Sequence, residues 1–160
     1  MKIIFLDIDG VLNYEDCPYM LGKYYFVDDE KLKLLKKLID ETDAKIVLSS
    51  TWRYGWLDLD DGKITEDSYS FQKLHSKFKE FGLNFYSKTP NWSHHRGDEI
   101  EKWLEECQEE IESFIIIDDN DDMEPYLDQL IQTDYNVGLT KENIKEGIRL
   151  LNYVYKGNSN

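Results

Sequence analysis

The sequence predicts an α/β domain, doubly wound around a mainly parallel five-stranded sheet. Three observations carry that expectation. Short apolar runs alternate with amphipathic stretches from end to end. Two of those runs, "KIVLS" (45–49) and "SFIIID" (113–118), are rich in β-branched residues and free of charge inside, as strands covered on both faces are. Helical patterns lie between those runs.

Taken in order, "KIIFLD" (2–7) reads as the first strand, followed by an irregular stretch over 10–27. "DDEKLKLLKKLIDET" (28–42) repeats Leu and Ile at helical spacing and opens with acids suited to a helix N-terminus. "KIVLS" is the second strand, and 50–67 is a second irregular stretch, expected as a loop over 54–67. "DSYSFQKLHSKFKEFG" (67–82) is a helix closed by a glycine, "LNFY" (83–86) the third strand, and "GDEIEKWLEECQEEIE" (97–112) the next helix. "SFIIID", "LIQT" (130–133) and the helix "KENIKEGIRLLNYVY" (141–155) complete one domain over 1–155, with 156–160 expected as a frayed tail. Irregular stretches as long as 10–27 and 50–67 are commonly functional in a compact domain.

Composition narrows the function. With 160 residues and 41% hydrophobic, the chain can bury a sizeable core. A formal net charge of −14 argues against a nonspecific nucleic-acid surface, because such a surface must neutralise phosphates with Lys and Arg. Cys17 and Cys107 suggest neither a disulfide framework nor a zinc spacing, which fits a reducing cytoplasm. No membrane span or signal peptide is expected.

The chemistry is expected where an open α/β sheet binds its ligands, at the carboxyl ends of the strands. The first strand delivers Asp7 and Asp9, followed by Gly10. The second delivers Ser49 and Ser50, then "TWR" with Arg53. "KTPNWSHHRGDEI" supplies Lys88 and, at the mouth of a helix, Arg96; the fourth strand runs into "DDNDD", residues 118–122. Carboxylates are costly to bury unless something pairs with them. Three carboxylate sources, a hydroxyl and a cation at strand ends therefore describe a phosphate-plus-metal site, and a hard divalent ion such as magnesium takes such oxygen ligands. Lys88 and Arg96 compete for the cationic place.

At these residues the chain resembles the haloacid dehalogenase superfamily. "FLDIDGVL" looks like its first motif, "IVLSS" its second, Arg96 in "RGDEI" its third and "IIIDDNDDM" its fourth. The wider pattern of "SSTWR", "RGDEIEKWL" and "QTDYNVGLT" is similar to the branch related to the phosphatase domains of Swiss-army-knife RNA repair proteins. The resemblance implies a magnesium-dependent phosphomonoesterase in which Asp7 is the nucleophile that forms an aspartyl-phosphate and Asp9 the general acid and base. Ser49 and Arg96 would hold the transferring phosphoryl group, with Ser50, Arg53 and Lys88 as further substrate contacts. Asp7, the Asp9 carbonyl and Asp118 would hold magnesium, with either Asp119 or Asp122 completing the set.

No stretch is long enough for a large cap domain over the site. An open site suits a bulky phosphorylated substrate, such as a nucleotide or a nucleic-acid end, unless a second copy closes it in a homodimer. Tyr14, Tyr19, Tyr24, Tyr25, Trp52, Trp56 and Trp92 make the loops aromatic, either to stack a base or to pack the loops down. His94 and His95 are expected at the surface. Two other functions compete: a phosphorylatable receiver-like signalling module, which would place its acidic pair on the first strand and not the fourth, and a nucleic-acid-repair accessory domain with little turnover.

Overall fold

The computed structural model describes residues 1–153, so the expected tail at 156–160 lies outside the described residues. Five strands form one sheet, β1 (Lys2–Leu6), β4 (Lys45–Leu48), β5 (Phe85–Lys88), β6 (Ser113–Asp118) and β7 (Leu130–Gln132), in the order β5-β4-β1-β6-β7. Every neighbouring pair is parallel. The sheet is therefore wholly parallel, as central apolar strands that alternate with helices should be. β1 lies in the middle, between β4 and β6, so the ends of three strands meet at one place.

The pleat of β1 divides the core. Ile4 and Leu6 face the larger layer, built with Leu32, Leu35 and Leu38 of α1 (Asp29–Thr42), Phe71, Leu74 and Phe78 of α3 (Glu66–Glu80), and Ile144 and Leu151 of α5 (Lys141–Asn152). Ile3 and Phe5 point the other way, onto Ile100 and Trp103 of α4 (Arg96–Glu106). These four side chains of β1 are fully buried. The helix ends follow local chemistry: Asp28 caps α1 through a bond from the Glu30 N–H, and Thr65 and Ser68 form a reciprocal capping box on α3.

Four features depart from the sequence expectations. The loop expected over 54–67 contains a helix, α2 (Arg53–Asp60), which packs against α3. The two helices meet at Gly55, where any Cβ would collide with the Asp67 carbonyl, so a residue that weakens a helix in isolation is what lets this one dock. The stretch 10–27 carries a small antiparallel hairpin, β2 (Met20–Leu21) and β3 (Tyr24–Tyr25). The helix expected to run to 112 stops at Glu106. The third strand is shifted to Phe85–Lys88, which brings Lys88 inside it. No helix among the described residues is long and apolar enough to cross a membrane.

Candidate active site

The loop after β1 is built to turn sharply. Asp7 still holds the sheet register, its N–H donating to Ile117 at 3.0 Å. Gly10 then adopts φ +82°, and a Cβ there would lie 2.6 Å from the Asp119 carboxylate. Only glycine permits both the turn and that approach. Asn13 secures the turn from inside. Its Oδ1 accepts from the Gly10 N–H at 2.9 Å, and its Nδ2 donates to Asp9 Oδ1 at 2.8 Å. The far end of the chain clasps the same loop: Thr133 Oγ1 donates to the Gly10 carbonyl at 2.7 Å and the Leu139 N–H to the Val11 carbonyl at 2.8 Å.

Arg96, the first residue of α4, reaches back to the strand ends. Its Nη1 lies 2.7 Å from Asp118 Oδ2, 3.1 Å from Asp7 Oδ1 and 2.7 Å from the Ser49 carbonyl. One guanidinium thus joins the ends of β1, β4 and β6. Asp7, Asp118 and Asp119 each offer an oxygen, all within 4.8 Å of one another. Asp7 and Asp118 are buried, and Asp118 Oδ1 also accepts from the Asn120 N–H at 2.9 Å.

Electrostatics show that one guanidinium is too little for this cluster. Burial, with the nearby Asp118 charge, pushes the Asp7 carboxyl well above its ordinary range despite Arg96. Burial pushes Asp118 up to about 6, against the pull of Arg96 and the Asn120 N–H. Buried hard-oxygen donors that resist ionising together fit a divalent cation, which would relieve the repulsion and suit the donor set.

The other expected residues sort themselves by position. Asp9 projects outward, with Oδ1 on Asn13 and Oδ2 accepting from Trp52 Nε1 at 3.1 Å. Ser49 is buried beneath Arg96, while Ser50 Oγ accepts from the Trp52 N–H at the start of α2. Asp122 stands apart from the three clustered carboxylates; it accepts from the Arg96 N–H through Oδ2 and from the Gly97 N–H through its carbonyl, holding the start of α4. Between the two candidates for the fourth-motif partner, Asp119 is the one in the cluster.

Two expected substrate contacts are turned elsewhere. Arg53 is buried, its Nη2 bonded to both Glu99 oxygens at 3.0 and 2.9 Å and its Nη1 to the Ser50 carbonyl at 2.7 Å. With both terminal nitrogens engaged and the side chain buried, this guanidinium has little left for a phosphate. Lys88 pairs with Asp60 at 2.8 Å and lies 4.2 Å above the Trp56 ring, so Arg96 alone of the two cations reaches the carboxylates. The sequence reading missed Asn13 and Glu99 as neighbours of the site, and named Trp52 for its ring but not for the indole N–H that bonds Asp9. For Asn13 a signal existed: it follows Asp9 by four residues, in a segment where the Leu12 N–H already bonds Ile8 in a helical turn.

Trp56 packs onto Phe71 and Phe85, whereas Trp92 lies under Lys102 and is largely exposed. Tyr24, Tyr25, Trp52 and Tyr54 instead border a cleft beside Asp9.

A family model for the HAD domain in Swiss Army Knife RNA repair proteins matches residues 3–144, which include every one of these side chains. No curated protein matches the chain.

Proposed function

The chain belongs to the family of HAD domains found in Swiss Army Knife RNA repair proteins, and from that premise we propose that it is a magnesium-dependent phosphomonoesterase acting through an aspartyl-phosphate. One observation supports this most: buried Asp7 and Asp118 share a single Nη1 of Arg96 and gather with Asp119, a cluster short of positive charge at the end of the central strand.

In this reading Asp7 attacks the phosphorus and the bond to the leaving oxygen breaks, while Asp9 gives that oxygen a proton. Asp9 then takes a proton from water as the water attacks the aspartyl-phosphate, releasing inorganic phosphate and restoring Asp7. Arg96 and the Ser49 hydroxyl neutralise and orient the phosphoryl oxygens. Asp7, Asp118 and Asp119, with the main-chain carbonyl of Asp9, would hold magnesium. Bound there, the ion supplies charge neutralisation that lets the phosphoryl group approach an anionic nucleophile. The substrate class is a phosphate monoester of a nucleotide or a nucleic-acid end.

Turnover of p-nitrophenyl phosphate tests the reading. Hydrolysis should require magnesium, stop in excess chelator and vanish in Asp7→Asn. Phosphate-ester binding without turnover would favour the accessory-domain alternative. Undiminished turnover in chelator would remove the metal assignment.

A further inference from the structure

A proton donor to the leaving oxygen stands where the leaving alcohol stands, so whatever Asp9 faces is the leaving-group site. Asp9 borders a cleft of about 440 Å³ between the β2–β3 hairpin, α2, the start of α3 and the loop after β7. That volume is in the range that single small ligands occupy, roughly 300–1,000 Å³. Tyr24 and Tyr25 from the hairpin, Trp52 just before α2, Tyr54 in its first turn, and Tyr135 line it. Tyr24 is 55% exposed, Tyr54 37% and Tyr135 43%, so these rings are not consumed by the core. The acid and the aromatic wall are joined: Trp52 donates to Asp9 through Nε1, and Asn13 bridges Asp9 to the Tyr25 carbonyl.

The charge of the lining is equally informative. Glu66 and Asp67 enter it from the start of α3, and among the described residues no lysine or arginine lines it. A second phosphate in this cleft would meet carboxylates and no cation. Lys23 Nζ lies 5.4 Å from the centroid of the Tyr24 ring and the Arg53 guanidinium 5.2 Å from that of Tyr54, but neither lines the cleft. Aromatic rings in a cleft lined by carboxylates suit a base and a sugar better than a continuing phosphodiester strand.

We propose that this cleft is the leaving-group site and takes the nucleoside of a nucleoside monophosphate, with the base stacked among Tyr24, Tyr54 and Trp52. The inference rests on the phosphatase reading for the role of Asp9. The bond broken is the one between phosphorus and the ribose oxygen. The proton from Asp9 goes to that oxygen, and the free nucleoside departs through the open cleft.

The test separates the cleft from the chemistry. Binding of adenosine, which carries no phosphate, is followed by tryptophan fluorescence in wild type, Tyr24→Ala, Tyr54→Ala and Tyr24→Phe without magnesium. Saturable quenching that weakens roughly fivefold to a hundredfold in either alanine variant, and survives in Tyr24→Phe, is expected from the contribution of one stacked ring. No saturable binding up to millimolar adenosine overturns the proposal, whatever the enzyme turns over. In turnover, adenosine 5′- or 3′-monophosphate should exceed glycerol phosphate in kcat/KM, and Tyr24→Ala should shrink that ratio. Equal kcat/KM for the two esters, or faster turnover of a phosphorylated oligonucleotide end than of the mononucleotide, overturns the proposal while leaving the phosphatase reading intact. Adenosine binding with no turnover of any ester would instead sink the phosphatase reading and the leaving-group role with it, leaving only a nucleoside-binding cleft.

Discussion

Arg53 and Glu99 form a two-pronged ion pair, 2.9 and 3.0 Å, between side chains that are 4% and 5% exposed. Its reach is wider than the pair itself. Arg53 also holds the Ser50 carbonyl, and Glu99 accepts from the Trp92 N–H at 3.0 Å. Glu99 lies one turn along α4 from Arg96. The pair therefore fixes the helix that carries Arg96 against the strand end that carries Ser49.

Removing one partner leaves the other buried and unpaired. Glu99→Gln or Arg53→Met should each destabilise the fold by about 3–5 kcal/mol, and the double replacement Arg53→Met with Glu99→Leu by much less. Urea unfolding of the three variants checks this. A near-zero effect in both single variants would show that the pair is not a structural tie.

Arg96 and Lys88 should differ sharply in activity. Arg96→Ala is expected to cost about a hundred- to a thousandfold in rate, with part restored in Arg96→Lys. Lys88→Ala breaks only the contacts with Asp60 and Trp56 and should stay within about threefold of wild type, since a partly exposed pair contributes little. Steady-state kinetics on p-nitrophenyl phosphate decide it; a dead Lys88→Ala with an active Arg96→Ala would reverse the assignment.

Asp7 and Asp9 should fail differently. Asp7→Asn forms no covalent intermediate with any substrate. In Asp9→Asn a good leaving group such as p-nitrophenol still departs, but water is no longer activated for the second step. Rapid-quench kinetics should show a burst approaching one product per enzyme and then near-arrest, with intact mass revealing retained phosphate. Turnover without a burst would reassign Asp9.

Metal-free protein should gain stability from the cluster as pH falls. Asp118 has a folded-state value raised to about 6 from an ordinary 3.8, so the folded chain holds its proton more tightly than the unfolded one. The stability this contributes is full below the unfolded value and is lost as pH rises through about 6. Thermal unfolding in chelator should therefore show a melting temperature that rises from about pH 7 to about pH 5, with a flatter slope in Asp118→Asn. Magnesium should raise the melting temperature at neutral pH and do so less at acidic pH. An equal increment at both would mean that the ion binds elsewhere.

The strands and the cluster were legible for one reason. Apolar runs such as "KIIFL" and "SFIIID" state their burial locally, and the polar residue that ends each run marks the sheet edge where ligands bind. What stayed hidden depends on partners distant in sequence. α2 reads "RYGWLDLD", with a glycine and no clean apolar stripe, and its reason for being a helix is its contact with α3. Arg53 and Glu99 are 46 positions apart and of types that usually face water, so neither announces a buried pair. Lys88 ends a strand as Asp7 nearly does, and sequence does not say to which side its long stem bends.

The hydrogen bond from Thr133 to the Gly10 carbonyl spans 123 positions. Glu15 N–H on Tyr135 and Leu139 N–H on Val11 close the same seam at 3.0 and 2.8 Å. A nascent chain on the ribosome thus carries Asp7 and Asp9 long before it owns the segment that shapes the loop around them. Contacts between segments so far apart in sequence are nonlocal, and such contacts must await the closing of the long stretch between them. Partly synthesised chains therefore hold Asp7 and Asp9 without the segment after β7 that clasps the loop around them.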